Sequence, residues 1–267
     1  AMDSAGYISD LRRATFYKGQ IAHVERIPAR PPQAGILERP LHTELEQSLR
    51  NLGIGILYSH QAEAINAARD GDHVTVVTAT ASGKTLCYNL PVLDAVLNDN
   101  KARAFYLFPT KALAQDQLGK LDGFELFPKI RHATYDGDTP ATERRLIKRG
   151  SHIVLTNPDM LHLGILPYHS TWSAFFANLK YVVIDEMHVY RGVFGAHLAH
   201  IMRRLRRICE FYGSSPQFLC CSATIANPGE LTQKLTGIDL PIIVDNNGAP
   251  SGARTFVFWN PPVIDPN

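Results

Sequence analysis

The segment Thr78-Ala-Thr-Ala-Ser-Gly-Lys-Thr85 has the residue types of a phosphate-binding loop. It lies between the apolar run His73 to Val77 and a helical pattern that begins at Leu86, which is the strand, loop and helix order that such a loop requires. Small residues let backbone N–H groups curl around phosphate oxygens, and the helix N-terminus adds partial positive charge. The candidate nucleotide-binding residues in this loop are Thr80, Ala81, Ser82, Gly83, Lys84 and Thr85.

Two residues of this loop have separate predicted roles. The Lys84 ammonium reaches the β and γ phosphates of a nucleotide, and the Thr85 hydroxyl binds Mg²⁺. Thr78 stands where the motif usually has its first glycine, and Ala81 stands where glycine is also common, so Gly83 is the glycine that remains. The alternative interpretation of the segment is a chance match or a helix cap.

The run Tyr181-Val-Val-Ile-Asp-Glu-Met-His188 is a second candidate for chemistry. A carboxylate at the end of an apolar strand is poorly placed for stability, but it is well placed to hold a cation beside a phosphate loop. We expect Asp185 to hold Mg²⁺ through water and Glu186 to orient and polarise the attacking water. A strand end capped by solvated charges is the alternative. The predicted catalytic residues are Lys84, Asp185, Glu186 and His188, and the predicted metal ligands are Thr85 and Asp185.

Histidine and cysteine patterns do not favour a zinc site. His188, His197 and His200 lack the H-E-x-x-H spacing, and no thiolate lies near them in the sequence. The cysteines form no C-x-x-C pair, and the adjacent Cys220 and Cys221 would point to opposite faces of a strand. Buried free thiols are therefore expected at Cys87, Cys209, Cys220 and Cys221.

Composition limits the class of protein. The 267 residues are 45% hydrophobic, and 27 Lys and Arg against 25 Asp and Glu give a net charge of +2. This predicts a globular chain with a sizeable core, and any nucleic-acid binding must use a local basic surface. No hydrophobic run approaches the ~18 residues of a membrane helix, and the first residues lack the apolar core of a secretory signal. We expect a cytoplasmic location and no membrane contact.

The elements that position these residues alternate along the chain. Prolines at 28, 31, 32 and 40 predict an extended lead-in, and two helical patterns follow between Leu41 and Arg69. A long amphipathic helix is predicted from Val193 to Phe211. Apolar strands are predicted at His73–Val77, Ala104–Phe108, His152–Leu155, Tyr181–Ile184 and Gln217–Cys221. This order predicts an α/β fold, with a mostly parallel sheet and helices on both faces.

The phosphate loop and the D-E-M-H run together resemble the superfamily-two helicases, whose second motif reads D-E-x-D or D-E-x-H. Tyr58-Ser-His-Gln61 resembles the glutamine motif of that family, Phe108 to Gln115 resembles motif Ia, Thr156 to Leu161 resembles motif Ib, and Ser222-Ala-Thr224 resembles motif III. The resemblance implies that Gln61 accepts a hydrogen bond from the adenine edge and donates one to it. It implies nucleic-acid contacts at Pro109, Thr110, Lys111, Thr156, Asn157 and Pro158, and coupling of the metal site to the strand-binding surface by Ser222, Ala223 and Thr224.

A closer resemblance, from about Leu41 to Pro262, is to the DNA helicases of the mitomycin repair factor type, relatives of the RecQ4-like Hrq helicases. The stretches that carry it are ATASGKTLCYNLPVL, YLFPTKALAQDQ, TYDGDT, TNPDMLH, DEMHVYRGVFGAH and CSATIANPGEL. It implies a RecA-like P-loop NTPase fold, ATP and Mg²⁺ as cofactors, and a 3′ to 5′ DNA helicase that acts in repair. The implied partner is single-stranded or partly duplex DNA.

The same resemblance implies a domain organisation. Residues 1–40 are expected to be an N-terminal extension, residues 41–253 the ATP-binding lobe, and residues 254–267 the start of a linker into a second RecA-like lobe. That second lobe would supply motifs IV to VI and an arginine finger. We therefore expect this lobe to be monomeric and, by itself, a very slow ATPase.

Some alternatives stay open at the level of sequence. The lobe of an RNA helicase differs only by family resemblance, and a nucleotide-gated binding module without turnover would share the phosphate loop. A small-molecule kinase would not need Gln61, Ser222 or Thr224. Tyr190, Arg191 and Phe194 can stack on bases or pack between lobes. A solvated face, a phosphate backbone or an accessory lobe can each explain Arg203, Arg204, Arg206 and Arg207.

Overall fold

Two sheets form in the computed structural model, which describes residues 3–261. In chain order the strands of this part of the chain are β1 (Ile21–Ile27), β2 (Val74–Val77), β3 (Arg103–Leu107), β4 (His132–Thr134), β5 (Ile153–Thr156), β6 (Leu179–Ile184), β7 (Gln217–Ser222), β8 (Ile242–Val244) and β9 (Arg254–Trp259). The main sheet has the order β4-β5-β3-β6-β7-β2-β8, and every neighbouring pair is parallel. A parallel sheet brings the carboxyl ends of all its strands to one edge, which is where a ligand is expected.

Helices connect the strands. They are α1 (Ser4–Arg13), α2 (Thr43–Asn51), α3 (Ser59–Asp70), α4 (Lys84–Asn98), α5 (Lys111–Asp122), α6 (Ala141–Gly150), the short α7 (Pro158–Met160), α8 (Ser173–Ala177), α9 (Gly192–Phe211) and α10 (Pro228–Thr236). One π and two 3₁₀ segments complete the helical structure of the described chain, at Leu161–Ile165, Leu166–Trp172 and Met187–Val189. α4 begins at Lys84, within the phosphate-loop segment, because Gly83 adopts the left-handed conformation that turns the chain into the helix.

Alternating side chains of the central strands enter two separate cores, one on each face of the sheet. In β3, Ala104 and Tyr106 belong to one core, whereas Phe105 and Leu107 belong to the other. The adjacent Cys220 and Cys221 likewise lie in different cores, and all four cysteines are buried and unpaired. The structure therefore confirms both the α/β architecture and the buried free thiols that the sequence predicts.

The chain forms two compact units. The main sheet belongs to residues 34–248, and the second unit contains residues 3–33 and 249–261. In the second unit, β1 and β9 form an antiparallel ribbon in which Val24 pairs with Val257. The unit boundaries lie near the predicted domain limits at residues 40 and 253, and positions 262–267 of the expected linker lie outside the described residues.

None of the helices between residues 3 and 261 is both long enough and apolar enough to cross a bilayer.

Candidate active site

A cleft of about 730 Å³ lies at the carboxyl edge of the main sheet. Phosphate-loop residues 80–85, which follow β2, line one side, and Asp185 and Glu186, which follow β6, line the other. β2 and β6 are separated in the sheet by β7, so the fold brings together two segments that are distant in sequence. The predicted catalytic and metal-binding residues Lys84, Thr85, Asp185 and Glu186 therefore share one cleft.

Hydrogen bonds within the phosphate loop hold its shape. Thr78 Oγ1 lies 2.6 Å from Ser82 Oγ, and Lys84 Nζ donates to the carbonyl oxygens of Thr78 and Ala79 at 2.9 Å. No side chain caps the N-terminus of α4, so its free N–H groups are open to an anion. A phosphate that enters the loop would replace the carbonyl oxygens as the partner of the Lys84 ammonium.

Helix α3 supports the loop from behind through two side chains. His60 Nδ1 accepts a hydrogen bond from Gly248 N at 3.2 Å, so Nε2 carries the proton and donates to Ser82 O at 3.0 Å. Gln61 Nε2 donates to Gly83 O at 3.0 Å, and its Oε1 accepts from Tyr58 N at 2.9 Å. The sequence motif included His60, but nothing in its pattern indicated this role.

Gln61 is the predicted adenine-reading residue, and its amide is already satisfied in this structure. The side chain is 2% exposed, and both ends of the amide have partners. Reading of the adenine edge by Gln61 stays a prediction, and it would require these bonds to be exchanged for bonds to the base. In this structure, Gln61 instead binds the carbonyl oxygen of Gly83, the residue that immediately precedes α4.

Asp185 is held at both carboxylate oxygens. Tyr88 Oη donates to Oδ2 at 2.8 Å, and the N–H of Glu186 donates to Oδ1 at 2.8 Å. Burial raises the pKa of Asp185 above its ordinary value, and the hydrogen bond from Tyr88 opposes that rise. Tyr88 is not part of any motif recognised in the sequence. The spacing could have indicated it, since Tyr88 lies one helical turn after Lys84 on α4.

His188 connects the acidic run to the third motif. Its Nδ1 accepts a hydrogen bond from Ala223 N at 3.2 Å, so the same atom cannot donate to the Glu186 carboxylate that lies 3.4 Å away. Ser222 is buried and its Oγ donates to Ala223 O at 2.8 Å, whereas Thr224 is exposed. Of the three predicted coupling residues, Ala223 thus bonds directly to His188 of the acidic run, and the coupling itself stays a prediction.

The donors in the cleft fit Mg²⁺. Thr85 supplies a hydroxyl and Asp185 a carboxylate, and Mg²⁺ prefers oxygen ligands and often uses one or two carboxylates together with substrate phosphates. Between residues 3 and 261, no group of three or more His, Cys, Asp or Glu side chains is arranged to hold a metal ion. His197 instead lies 3.7 Å from the carboxylate of Asp159, with its ring against that of His162.

The predicted nucleic-acid residues follow β3 and β5, which are neighbours in the sheet. Thr110 and Lys111 are exposed; Thr110 Oγ1 accepts from Leu113 N at 3.3 Å to cap α5, and Lys111 Nζ lies 2.5 Å from Asp138. Pro109 and Asn157 are partly exposed, and Asn157 Oδ1 accepts from Met160 N at 2.8 Å. Contact of these four residues with a strand stays a prediction.

Two of the six residues predicted to contact nucleic acid, Thr156 and Pro158, need a correction. Thr156 is 2% exposed and its hydroxyl donates to Tyr135 O at 2.6 Å, and Pro158 is also buried. Their side chains are therefore not available to a strand in this structure. Thr156 ends β5 and Pro158 begins α7, so both position Asn157 between them.

The aromatic and basic candidates divide in a similar way. Tyr190 is fully buried and packs 5.0 Å from the ring of Phe194, so it cannot stack on a base here, whereas Arg191 is exposed. Arg206 donates to the carbonyl oxygen of Gly237 after α10. Arg203, Arg206 and Arg207 line a separate cleft of about 620 Å³ that also includes His73, before β2, and Pro216, before β7. That cleft is at the amino edge of the sheet, opposite the cleft formed by the phosphate loop, Asp185 and Glu186, which we call the nucleotide cleft.

Comparison with known proteins agrees with this geometry. The sequence pattern of the family described as DEAD/DEAH box helicase matches residues 58–231, which is more than half of the chain. The chain is 49% identical over 260 residues to the uncharacterized ATP-dependent helicase YprA of Bacillus subtilis, and the match covers 97% of this chain and 34% of YprA. It is 45% identical over 267 residues to the ATP-dependent helicase hrq1 of Schizosaccharomyces pombe, covering 97% of this chain and 25% of hrq1.

A solved structure of the helicase MrfA bound to DNA and AMPPNP is similar to this fold, with a TM-score of 0.90 at 48% identity; the match covers 98% of this chain and 36% of that chain. The chain thus spans between a quarter and about a third of the length of the curated relatives. Its main sheet has the RecA-like helicase fold. Because the match to the family pattern includes the phosphate loop, the acidic run and the third motif, the chain belongs to the DEAD/DEAH box helicases.

Proposed function

We propose that this chain is the ATP-binding lobe of a DNA-dependent ATPase and 3′ to 5′ DNA helicase that acts in DNA repair in the cytoplasm. The observation that carries the proposal is the single cleft in which Lys84, Thr85, Asp185 and Glu186 meet. It is supported by the similarity to MrfA, which has been solved with both DNA and AMPPNP. The partners in this proposal are single-stranded or partly duplex DNA and a second RecA-like lobe.

Nucleotide binding uses the loop and the start of α4. The Lys84 ammonium exchanges its two loop carbonyl oxygens for oxygens of the β and γ phosphates, and the uncapped N–H groups of α4 face the same charge. Thr85 and Asp185 would hold Mg²⁺, which neutralises phosphate charge when it is bound. Small residues at 79–83 leave room for the backbone to approach the phosphates.

Hydrolysis depends on Glu186. Its carboxylate lines the cleft next to Asp185 and accepts a proton from a water molecule positioned for attack on the γ phosphate. His188, through its bond to Ala223 N, links this position to the segment that follows β7. We expect a change at the γ phosphate to reach the third motif through this bond.

The DNA strand would lie across the ends of β3 and β5. Thr110, Lys111 and Asn157 present a hydroxyl, an ammonium and an amide there, which suit phosphate and sugar rather than base edges. The Lys111–Asp138 ion pair is exposed, and exposed ion pairs contribute little to stability, so a phosphate can displace the carboxylate at little cost.

Two substitutions test the nucleotide site. Lys84→Ala should abolish most binding of a fluorescent ATP analogue, because the ammonium is the side-chain cation that the loop directs at the phosphates. Glu186→Gln should bind the analogue normally yet lose hydrolysis, since it keeps the shape of the side chain and removes the base. Unchanged affinity in Lys84→Ala would show that the loop is not the nucleotide site.

The choice between DNA and RNA is tested by direct binding. Single-stranded DNA and RNA of equal length and matching sequence should be titrated against the chain in the presence of the ATP analogue and Mg²⁺. Tighter binding of DNA is expected. Tighter binding of RNA would replace the proposed substrate with RNA but would leave the nucleotide site intact.

A further inference from the structure

Tyr88 occupies a buried position beneath the nucleotide cleft. It is 1% exposed and lies on α4, one turn after Lys84, and its hydroxyl donates to Asp185 Oδ2 at 2.8 Å. The phosphate-loop helix and the end of β6 are thereby joined by one side-chain hydrogen bond. No other hydrogen bond between side chains connects these two elements in the described part of the chain.

The Tyr88 ring is held in a fixed orientation. Its neighbour Tyr106 packs edge-on against it, with ring centroids 5.4 Å apart and an interplanar angle of 89°. The Tyr106 hydroxyl donates to Asn89 Oδ1 at 3.0 Å, so it does not compete for Asp185. Both rings are fully buried in the core on that face of the sheet. The direction of the Tyr88 O–H is therefore set by packing.

The effect on Asp185 is to remove its rotational freedom. Tyr88 fixes one carboxylate oxygen and the N–H of Glu186 fixes the other. Each oxygen has two lone pairs, so each keeps one for a further partner. A carboxylate fixed in this way presents those lone pairs to the cleft in one orientation, whereas an unfixed carboxylate would have to be ordered when the metal binds.

We propose that Tyr88 is a positioning residue, which orients the Asp185 carboxylate for the hydrated Mg²⁺ that accompanies ATP. This inference rests on the proposed function, because it assumes that the cleft binds ATP with Mg²⁺. Outer partners of metal ligands typically contribute about 10- to 100-fold to metal affinity or activity. The role differs from that of Lys84 and Thr85, since Tyr88 is buried and acts on the metal only through Asp185.

The test compares Tyr88→Phe with Tyr106→Phe in the 267-residue chain. Each variant loses one buried hydroxyl from neighbouring rings, but only the first loses a bond to Asp185. In one measurement, Mg²⁺ is titrated into the chain and a fluorescent ATP analogue at fixed concentrations. In a second, the analogue is titrated into the chain in excess chelator. In Tyr88→Phe the Mg²⁺ midpoint should rise about ten-fold while affinity in chelator is unchanged. In Tyr106→Phe it should stay within about two-fold of the unaltered chain.

A double-mutant cycle separates positioning from a general loss of stability. If Tyr88 acts through Asp185, adding Tyr88→Phe to Asp185→Asn should not raise the Mg²⁺ midpoint further. Melting temperatures of Tyr88→Phe and Tyr106→Phe should agree closely. The inference is overturned if the two single variants have equal midpoints, or if Tyr88→Phe has the same effect in both backgrounds. Failure of the unaltered chain to bind the analogue would instead overturn the proposed function.

Discussion

Ala81 adopts a left-handed backbone conformation within the phosphate loop, with φ of 62°. A residue with a Cβ atom loses about 1–2 kcal/mol there, because the Cβ crowds the following carbonyl oxygen. This conformation agrees with the position of Ala81 in the motif, since Ala81 stands where glycine is common. The loop thus keeps a shape that suits phosphate at a cost in stability, which is typical of functional segments.

Replacement of this residue tests the strain. Ala81→Gly should raise the free energy of unfolding by up to about 1 kcal/mol, because relief of the strain exceeds the added entropy of the unfolded chain. Urea unfolding without nucleotide measures this change. Ala79→Gly is the matched control, since Ala79 has no positive φ, and it should be neutral or destabilising. Equal shifts in the two variants would contradict the explanation.

Elements at the centre of the main sheet were predictable, and those at its edges were not. The predicted strands correspond to β2, β3, β5, β6 and β7 within one or two residues, because strands buried on both faces of a parallel sheet are continuous apolar runs. The edge strands β4 and β8 have only three residues each, which is too short for a pattern. The helix α1 was also not predicted, and neither were β1 and β9, whose partners are separated by most of the chain.

The same contrast applies to the candidate site. Lys84, Thr85, Asp185 and Glu186 were predictable because each belongs to a short motif with its own chemistry. The supporting contacts of His60 and Tyr88 were not, since they depend on which helix packs behind which loop. Burial of Thr156 and Tyr190 was also hidden, because a motif does not show which of its side chains face the core.

Lys111 begins α5 beside the proposed strand path, so Lys111→Ala should weaken binding of single-stranded DNA and lower the slope of log K against log salt by about 0.7. Fluorescence anisotropy over a range of salt concentrations measures both. Lys180→Ala removes an exposed lysine at the amino end of β6 and serves as the control. Identical slopes in the two variants would exclude Lys111 from the strand path.

At the scale of the whole molecule, we expect the supply of positive charge to limit the rate of ATP hydrolysis. Among the residues that the structure describes, two lysines line the nucleotide cleft, and Lys120 already lies 2.6 Å from Asp116. Lys84 therefore remains to stabilise the transition state together with Mg²⁺. Arginine fingers contribute about 10³ to 10⁵ in rate in related phosphoryl transfer, and none of the arginines in this part of the chain lines the cleft.

We therefore expect this 267-residue chain to bind ATP but to hydrolyse it very slowly and to unwind no DNA. Steady-state phosphate release with single-stranded DNA should be compared for this chain and for Bacillus subtilis YprA, of which the chain covers 34%. YprA should be faster by about 10³-fold or more. Similar DNA-stimulated rates would show that these residues alone form a complete ATPase.

The ribbon of β1 and β9 affects how the chain folds. Its strands are joined by residues 28–253, so among the strand pairs of the described residues this one has the largest sequence separation, and it closes only after most of the chain has been synthesised. A two-stranded ribbon is also marginally stable by itself. Until β9 emerges, β1 has no partner, and the aromatic run Phe256-Val-Phe-Trp259 is a template for pairing with other chains when it is unpaired. While the ribbon is open, both of its strands can therefore pair with other chains, and closure satisfies one edge of each strand and so lowers the risk of self-association during folding.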